Sequence, residues 1–271
     1  MKGPSMASEK TQIVIAIPAY DRKLYTDCAA SLIALDRALR AAKIEARFLF
    51  LPGDPVVQRV RNLAVADVLG DRDATHLLFI DADVRFQPAT ILRLIKFGEP
   101  VVGAAYPKKS YPNERTQRFA PRDLDDFHRA VQDYSVVFDD PKVMSGEALP
   151  QGLRGDFAPV QALGAGLLLI RRDALQALSA SLPDLKYRPD IPHYVTPQTA
   201  GHFYGLFDPF VDPETRTFVA EDHAFFRRWR GLGHTVWCDL AASLDHVGNH
   251  TFSGSLAATL KTRREALKKG S

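Results

Sequence analysis

The stretch His76-Leu-Leu-Phe-Ile-Asp81-Ala-Asp83 decides how this chain is read. A continuous apolar run of this length, without polar alternation, reads as a strand covered on both faces, as in a parallel sheet. Two carboxylates one residue apart stand at its carboxyl end, where open α/β sheets place their ligands. A hard divalent cation such as Mg²⁺ or Mn²⁺ takes one or two carboxylates, keeps water in its shell and bridges to phosphate oxygens. Asp81 and Asp83 can supply those carboxylates, which suggests an enzyme that holds a metal–diphosphate. Carboxylates after a strand also commonly cap the next turn or helix, and that ordinary use competes with the metal reading.

Working outward, strand and helix signals alternate. Gln12-Ile-Val-Ile-Ala-Ile17 is a β-branched run ended by Pro18, and Leu24 to Ala42 carries apolar positions at helical spacing. Ala46-Arg-Phe-Leu-Phe-Leu51 reads as a second strand stopped by Pro52-Gly53, followed by a helix from Pro55 to Leu69 with Asp54 as its N-cap. After the acidic pair come a helix from Pro88 to Lys96 and a strand at Val101-Val-Gly-Ala-Ala105. This order predicts an α/β fold, a doubly wound and mostly parallel central sheet flanked by helices. From Tyr106 to about Phe157 no clean periodicity survives, which suits a lid, a binding loop or disorder. A strand at Leu167-Leu-Leu-Ile170, a helix capped by Asp173, a Pro- and aromatic-rich run from Pro183 to Phe218, a helix from Glu221 to Leu232 and a strand at Thr235 to Cys238 complete the pattern.

One domain over residues 11–254 is the economical division, between a disordered or cloning-derived tail at 1–10 and a basic helical tail at 255–271. The net charge of +3 does not by itself imply nucleic-acid binding. Cys28 and Cys238 show neither metal-ligand spacing nor a disulfide framework. With no stretch approaching a membrane span and no signal peptide, the expected location is cytoplasmic, with a peripheral place at the inner membrane surface as the alternative. The tail charges Lys261, Arg263, Arg264, Lys268 and Lys269 read as a solvated helix face.

Four features in order resemble the GT-A-fold nucleotide-sugar glycosyltransferases of the broad family 2-like group. They are Ile17-Pro-Ala-Tyr20; Arg59-Val-Arg-Asn62 ahead of Phe79-Ile-Asp-Ala-Asp83; Gly164-Ala-Gly166; and Glu221-Asp222 followed by Gly233-His-Thr-Val-Trp-Cys-Asp239 and Asp245-His246-Val-Gly248. The resemblance implies a GT-A-like fold with an irregular acceptor side, and a hexose moved from a nucleotide-diphosphate sugar, UDP-sugar favoured, to a hydroxyl. The acceptor is left open among a glycan, a lipid, a protein and a modified nucleic-acid base.

The resemblance also implies roles. Asp83 and Asp81 hold the metal on the donor diphosphate, with Asp81 also near the ribose, and His246 is the candidate third ligand. A histidine among oxygen donors favours Mn²⁺ mildly over Mg²⁺. Asp222, with Glu221, takes the proton of the acceptor hydroxyl in inverting members; as helix-terminal acids the two need only complement the dipole. Pro18, Tyr20 and Asp21 lie where this fold receives the base and ribose. Arg59, Arg61 and Asn62 match the donor-site pattern, and Arg suits phosphate. Lys108, from Tyr106-Pro-Lys-Lys109, could reach the diphosphate, and Gly164 and Gly166 allow close backbone approach to donor or acceptor. Two other functions compete. One is a nucleotidyl- or phosphotransferase, disfavoured because no Gly-rich phosphate loop with Lys-Ser/Thr is present; the other is a silent sugar-nucleotide-binding module.

Overall fold

A computed structural model describes residues 10–111 and 131–270. The expected amino-terminal tail up to residue 9, residues 112–130 of the aperiodic middle and residue 271 lie outside the described residues.

The first half follows the alternation closely: β1 (Gln12–Ala19), α1 (Thr26–Ala41), β2 (Glu45–Pro52), α2 (Val57–Gly70), β3 (His76–Ile80), a short β4 (Val84–Arg85), α3 (Pro88–Phe97) and β5 (Val101–Ala104). Beyond it come β6 (Val136–Val137), α4 (Lys142–Ser145), β7 (Phe157–Val160), β8 (Ala162–Leu163), β9 (Leu167–Arg171) and α5 (Arg172–Ser181). The last part holds β10 (Phe210–Val211), β11 (Phe218–Val219), α6 (Glu221–Gly231), β12 (Val236–Asp239), β13 (Ser243–His246), β14 (Phe252–Ser255) and α7 (Leu256–Gly270).

Seven strands form the central sheet in the order β2-β1-β3-β9-β5-β12-β7. The pairs β1–β2, β1–β3 and β5–β12 are parallel, but β9 runs antiparallel to both β3 and β5, and β7 is antiparallel to β12. The sheet is therefore mixed, not mostly parallel. The reason lies in β9 itself: Leu167-Leu-Leu-Ile170 is buried throughout, and an apolar run reports two covered faces without reporting direction.

Side-chain alternation sends β1 to two cores. Val14 and Ala16 join Leu63, Val68, Leu175 and Phe225 under α2, α5 and α6, while Ile13, Ile15 and Ile17 join Leu32, Leu35, Ile91 and Leu94 under α1 and α3. Helix α2 starts at Val57 rather than at Pro55, with Val56 in the cap position. Asp54 instead accepts the Val56 N–H at 2.9 Å and forks onto Arg59. In α5, Arg171 takes the cap position and Asp173 sits in the first turn.

The carboxyl-terminal basic segment is helical, but its face is not wholly solvated. Leu256, Thr259 and Arg263 are buried, and the Arg263 guanidinium donates to the carbonyls of Met144 and Gln132. A long basic stem can bury itself when carbonyl acceptors meet its head, and composition alone does not show those acceptors. Among the described residues no helix is long and apolar enough to cross a membrane.

Candidate active site

Asp81 leaves β3 where its N–H donates to the Gly166 carbonyl at 2.9 Å, so the acidic pair is pinned to the turn entering β9. Beside it opens a cleft of ≈ 400 Å³, lined among others by Pro18, Tyr20, Asp21, Arg61, Asp81, Asp83 and His246. Tyr20 is 65% exposed, so its ring stands at the mouth rather than in the core.

Arg61 organises the floor. Its side chain is only 4% exposed, and its Nη2 donates to Asp81 Oδ1 at 3.1 Å. Its Nε lies 3.8 Å from Glu221 Oε1, beyond hydrogen-bond reach, and is a buried donor without a partner. The guanidinium also stacks over the Phe79 ring, 5.1 Å from its centroid. One buried cation thus ties the acid pair after β3 to the acid pair that opens α6. Burial, reinforced by neighbouring Asp222, pushes the Glu221 carboxyl above its ordinary range against the pull of Arg61. Asp222 Oδ1 accepts the His223 N–H at 2.8 Å.

Asp83 is built differently. Antiparallel pairing of β13 with β4 sets His246 opposite Val84, which brings the imidazole alongside Asp83. His246 Nε2 stands 3.4 Å from Asp83 Oδ2, and the same oxygen accepts Lys109 Nζ at 2.6 Å. Burial would raise the Asp83 carboxyl, but the hydrogen bonds from His246 and Lys109 outweigh it and hold it below its ordinary value. His246 Nδ1 lies 2.9 Å from the Pro107 carbonyl. A carbonyl only accepts, so Nδ1–H donates to it, and this contact orients the ring with Nε2 toward Asp83.

The segment leading to Lys109 is seated by two glycines. A Cβ on Gly166 would fall 2.7 Å from both Asp81 Oδ2 and Tyr106 Cε1, and one on Gly164 would fall 2.3 Å from the Tyr106 hydroxyl. Both are there for space, since neither has a positive φ. The Tyr106 ring in turn meets His246 edge-on, with centroids 5.0 Å apart.

The sequence-predicted residues divide. Pro18, Tyr20, Asp21, Arg61, Asp81, Asp83 and His246 share the cleft, and Glu221 joins it through Arg61. Arg59 turns away to fork onto Asp54 and to reach Asp190, while buried Asn62 donates to Asp208 at 2.7 Å and accepts the Phe207 N–H. Lys108 pairs with Asp133 at 3.0 Å, and it is Lys109 that reaches the acidic pair. The Lys-Lys dipeptide carries the signal, but neighbouring side chains in an extended loop point apart, and the sequence does not choose between them.

For a metal ion the fit is partial. Among the described residues no group of three or more His, Cys, Asp and Glu side chains is arranged to hold one. Asp83 Oδ2 and His246 Nε2 do converge, with the histidine oriented from behind by Pro107, while Asp81 faces Arg61. Two protein donors of this kind suit a divalent ion that keeps waters and takes phosphate oxygens.

No family model and no curated protein sequence matches this chain. Among solved structures, A197 from STIV aligns over 92% of this chain and 92% of its own, at 16% identity and a TM-score of 0.46. A glycosyltransferase involved in the glycosylation of the major capsid of PBCV-1 aligns over 93% of this chain and 98% of its own, at 11% identity and a TM-score of 0.31. Likenesses this distant carry no argument about what this chain does.

Proposed function

We propose that this chain is a metal-dependent glycosyltransferase that moves a sugar from a nucleotide-diphosphate sugar, UDP-sugar favoured, to an acceptor hydroxyl. The observation that supports it best is the meeting of two acid pairs, Asp81/Asp83 and Glu221/Asp222, around buried Arg61 at one end of the sheet, with His246 beside Asp83. A nucleotide diphosphate would lie in the cleft, its base against the exposed Tyr20 ring and its ribose toward Asp21. Asp83 and His246 would hold Mn²⁺ or Mg²⁺, which as a Lewis acid neutralises charge on a departing phosphate. Arg61 fixes Asp81 and draws Glu221 to the same spot. Asp222 would then accept the proton of the acceptor hydroxyl as the new glycosidic bond forms. Burial raises the neighbouring Glu221 carboxyl, with Arg61 opposing.

The test is a donor-by-metal screen. UDP-, GDP-, ADP- and TDP-sugars are titrated with and without Mn²⁺, following thermal stability and release of nucleoside diphosphate. Metal-dependent stabilisation and slow hydrolysis with one donor are expected. Absence of both with every donor overturns the reading and leaves nucleotidyl transfer or binding without turnover.

A further inference from the structure

Building on that reading, we propose that Lys109 is an exchangeable internal cation: it holds Asp83 in the ligand-free protein, yields that oxygen to a divalent ion, and passes its ammonium to the phosphate of the bound nucleotide. The lysine donates to Asp83 Oδ2 at 2.6 Å, and this is the oxygen that faces His246 Nε2 at 3.4 Å. An ammonium and a divalent ion drawn to one oxygen repel each other, so arrival of the ion favours release of the lysine.

The surroundings suit exchange better than a fixed tie. The Lys109 side chain is 34% exposed and the Asp83 side chain 26%, and pairs in that range hold weakly and part easily. The stem passes the Tyr25 ring, with Nζ 5.6 Å from its centroid, and a Cβ on Gly248 would lie 3.6 Å from its Cδ and Cε. With no Cβ at Gly248 the stem keeps that space beside it, and four rotatable carbons let the head swing. Its backbone, by contrast, is anchored to the site. Two residues earlier the Pro107 carbonyl orients His246, and Tyr106 packs on the same imidazole. When the head leaves Asp83 it therefore stays within a side chain's length of the ion it made way for, where a diphosphate would sit. Arg61 cannot take this part, because it is buried and committed to Asp81.

The test measures two affinities in the full chain, Mn²⁺ alone and UDP under saturating Mn²⁺, for the wild type, Lys109→Met and Lys109→Arg. Lys109→Met should bind Mn²⁺ about two- to fivefold more tightly, since a weak competing ion pair is gone. It should bind UDP about tenfold or more weakly, since a charge-assisted hydrogen bond to phosphate is lost. Lys109→Arg keeps a competing charge and should return both affinities toward wild type. A merely structural lysine would move both affinities the same way. Unchanged or weaker Mn²⁺ binding by Lys109→Met, in a background where the wild type binds Mn²⁺ and UDP, overturns the exchange. A wild type that binds neither overturns the glycosyltransferase reading beneath it.

Discussion

Replacing Arg61 by methionine removes the charge that Asp81 and Glu221 share, while keeping most of the buried stem. The guanidinium is 4% exposed and its partners Asp81 and Glu221 are 25% and 23% exposed. Breaking a buried ion pair by removing one partner costs about 3–5 kcal/mol. Here water reaches part of each carboxylate, so the lower end, about 3 kcal/mol, is expected, and for a chain of this size that is a fall in melting temperature of about 6–12 °C. The loss should depend on pH with a definite sign. Burial already raises the Glu221 carboxyl above 4.5 in the folded state, and Arg61 works against that rise. Without Arg61 it rises further. Between the unfolded value and the raised folded value the native state then binds more protons than the unfolded state, so stability falls as pH increases. The deficit of Arg61→Met should therefore be smallest near pH 4.5 and widen toward neutrality. Thermal unfolding over that range measures it, and adding Glu221→Gln to the variant should recover part of the loss. A melting temperature within about 2 °C of wild type at every pH would refute the assignment of Arg61 as the common tie.

Gly166→Ala places a methyl group 2.7 Å from Asp81 Oδ2 and from the Tyr106 ring, which should cost about 1–3 kcal/mol by overpacking and weaken Mn²⁺ binding at Asp83. Gly231→Ala meets nothing within 4 Å at the end of α6 and should be neutral or slightly stabilising in the same melts. The Asp54 carboxyl is depressed from 3.8 to about 2, chiefly by the Arg59 hydrogen bond, with burial opposing. Its contribution, about 2 kcal/mol, is present above pH 4 and lost as pH falls toward 2; Asp54→Asn should flatten that part of an acid-unfolding curve. Asp222→Asn should lose sugar transfer while keeping donor affinity, and an unchanged transfer rate removes Asp222 from the proton-accepting role.

The elements of the first half were legible because each carries a local signal: the β-branched apolar run of β1, the helical spacing of α1, the buried run of β3. The mixed sheet was not, because β9 is buried on both faces and its side chains carry no mark of direction. The same division runs through the site. Asp81 and Asp83 could be found from a strand end. The seat of His246 depends on β13 pairing with β4, a contact between residues about 160 positions apart that no local pattern encodes. The inward turn of Arg61 was hidden because helix α2 buries Val60 through Ala66 without a break, so no solvated face separates its arginines.

The charges at the acidic pair give the arrangement its direction. Asp81, Asp83, Glu221 and Asp222 are set against Arg61 and Lys109, while Asp21 and Lys23 offset each other at the cleft mouth with their charged atoms 3.7 Å apart. These four carboxylates face two fixed cations, and a nucleoside diphosphate arriving alone would meet a field of its own sign. A divalent ion at Asp83 would remove the excess and, by displacing Lys109, free a second positive group for the phosphates. On this ground ion binding should precede nucleotide binding. UDP affinity should then climb steeply with Mn²⁺ concentration, while Mn²⁺ alone still binds the free protein; UDP affinity independent of the ion would contradict the ordering.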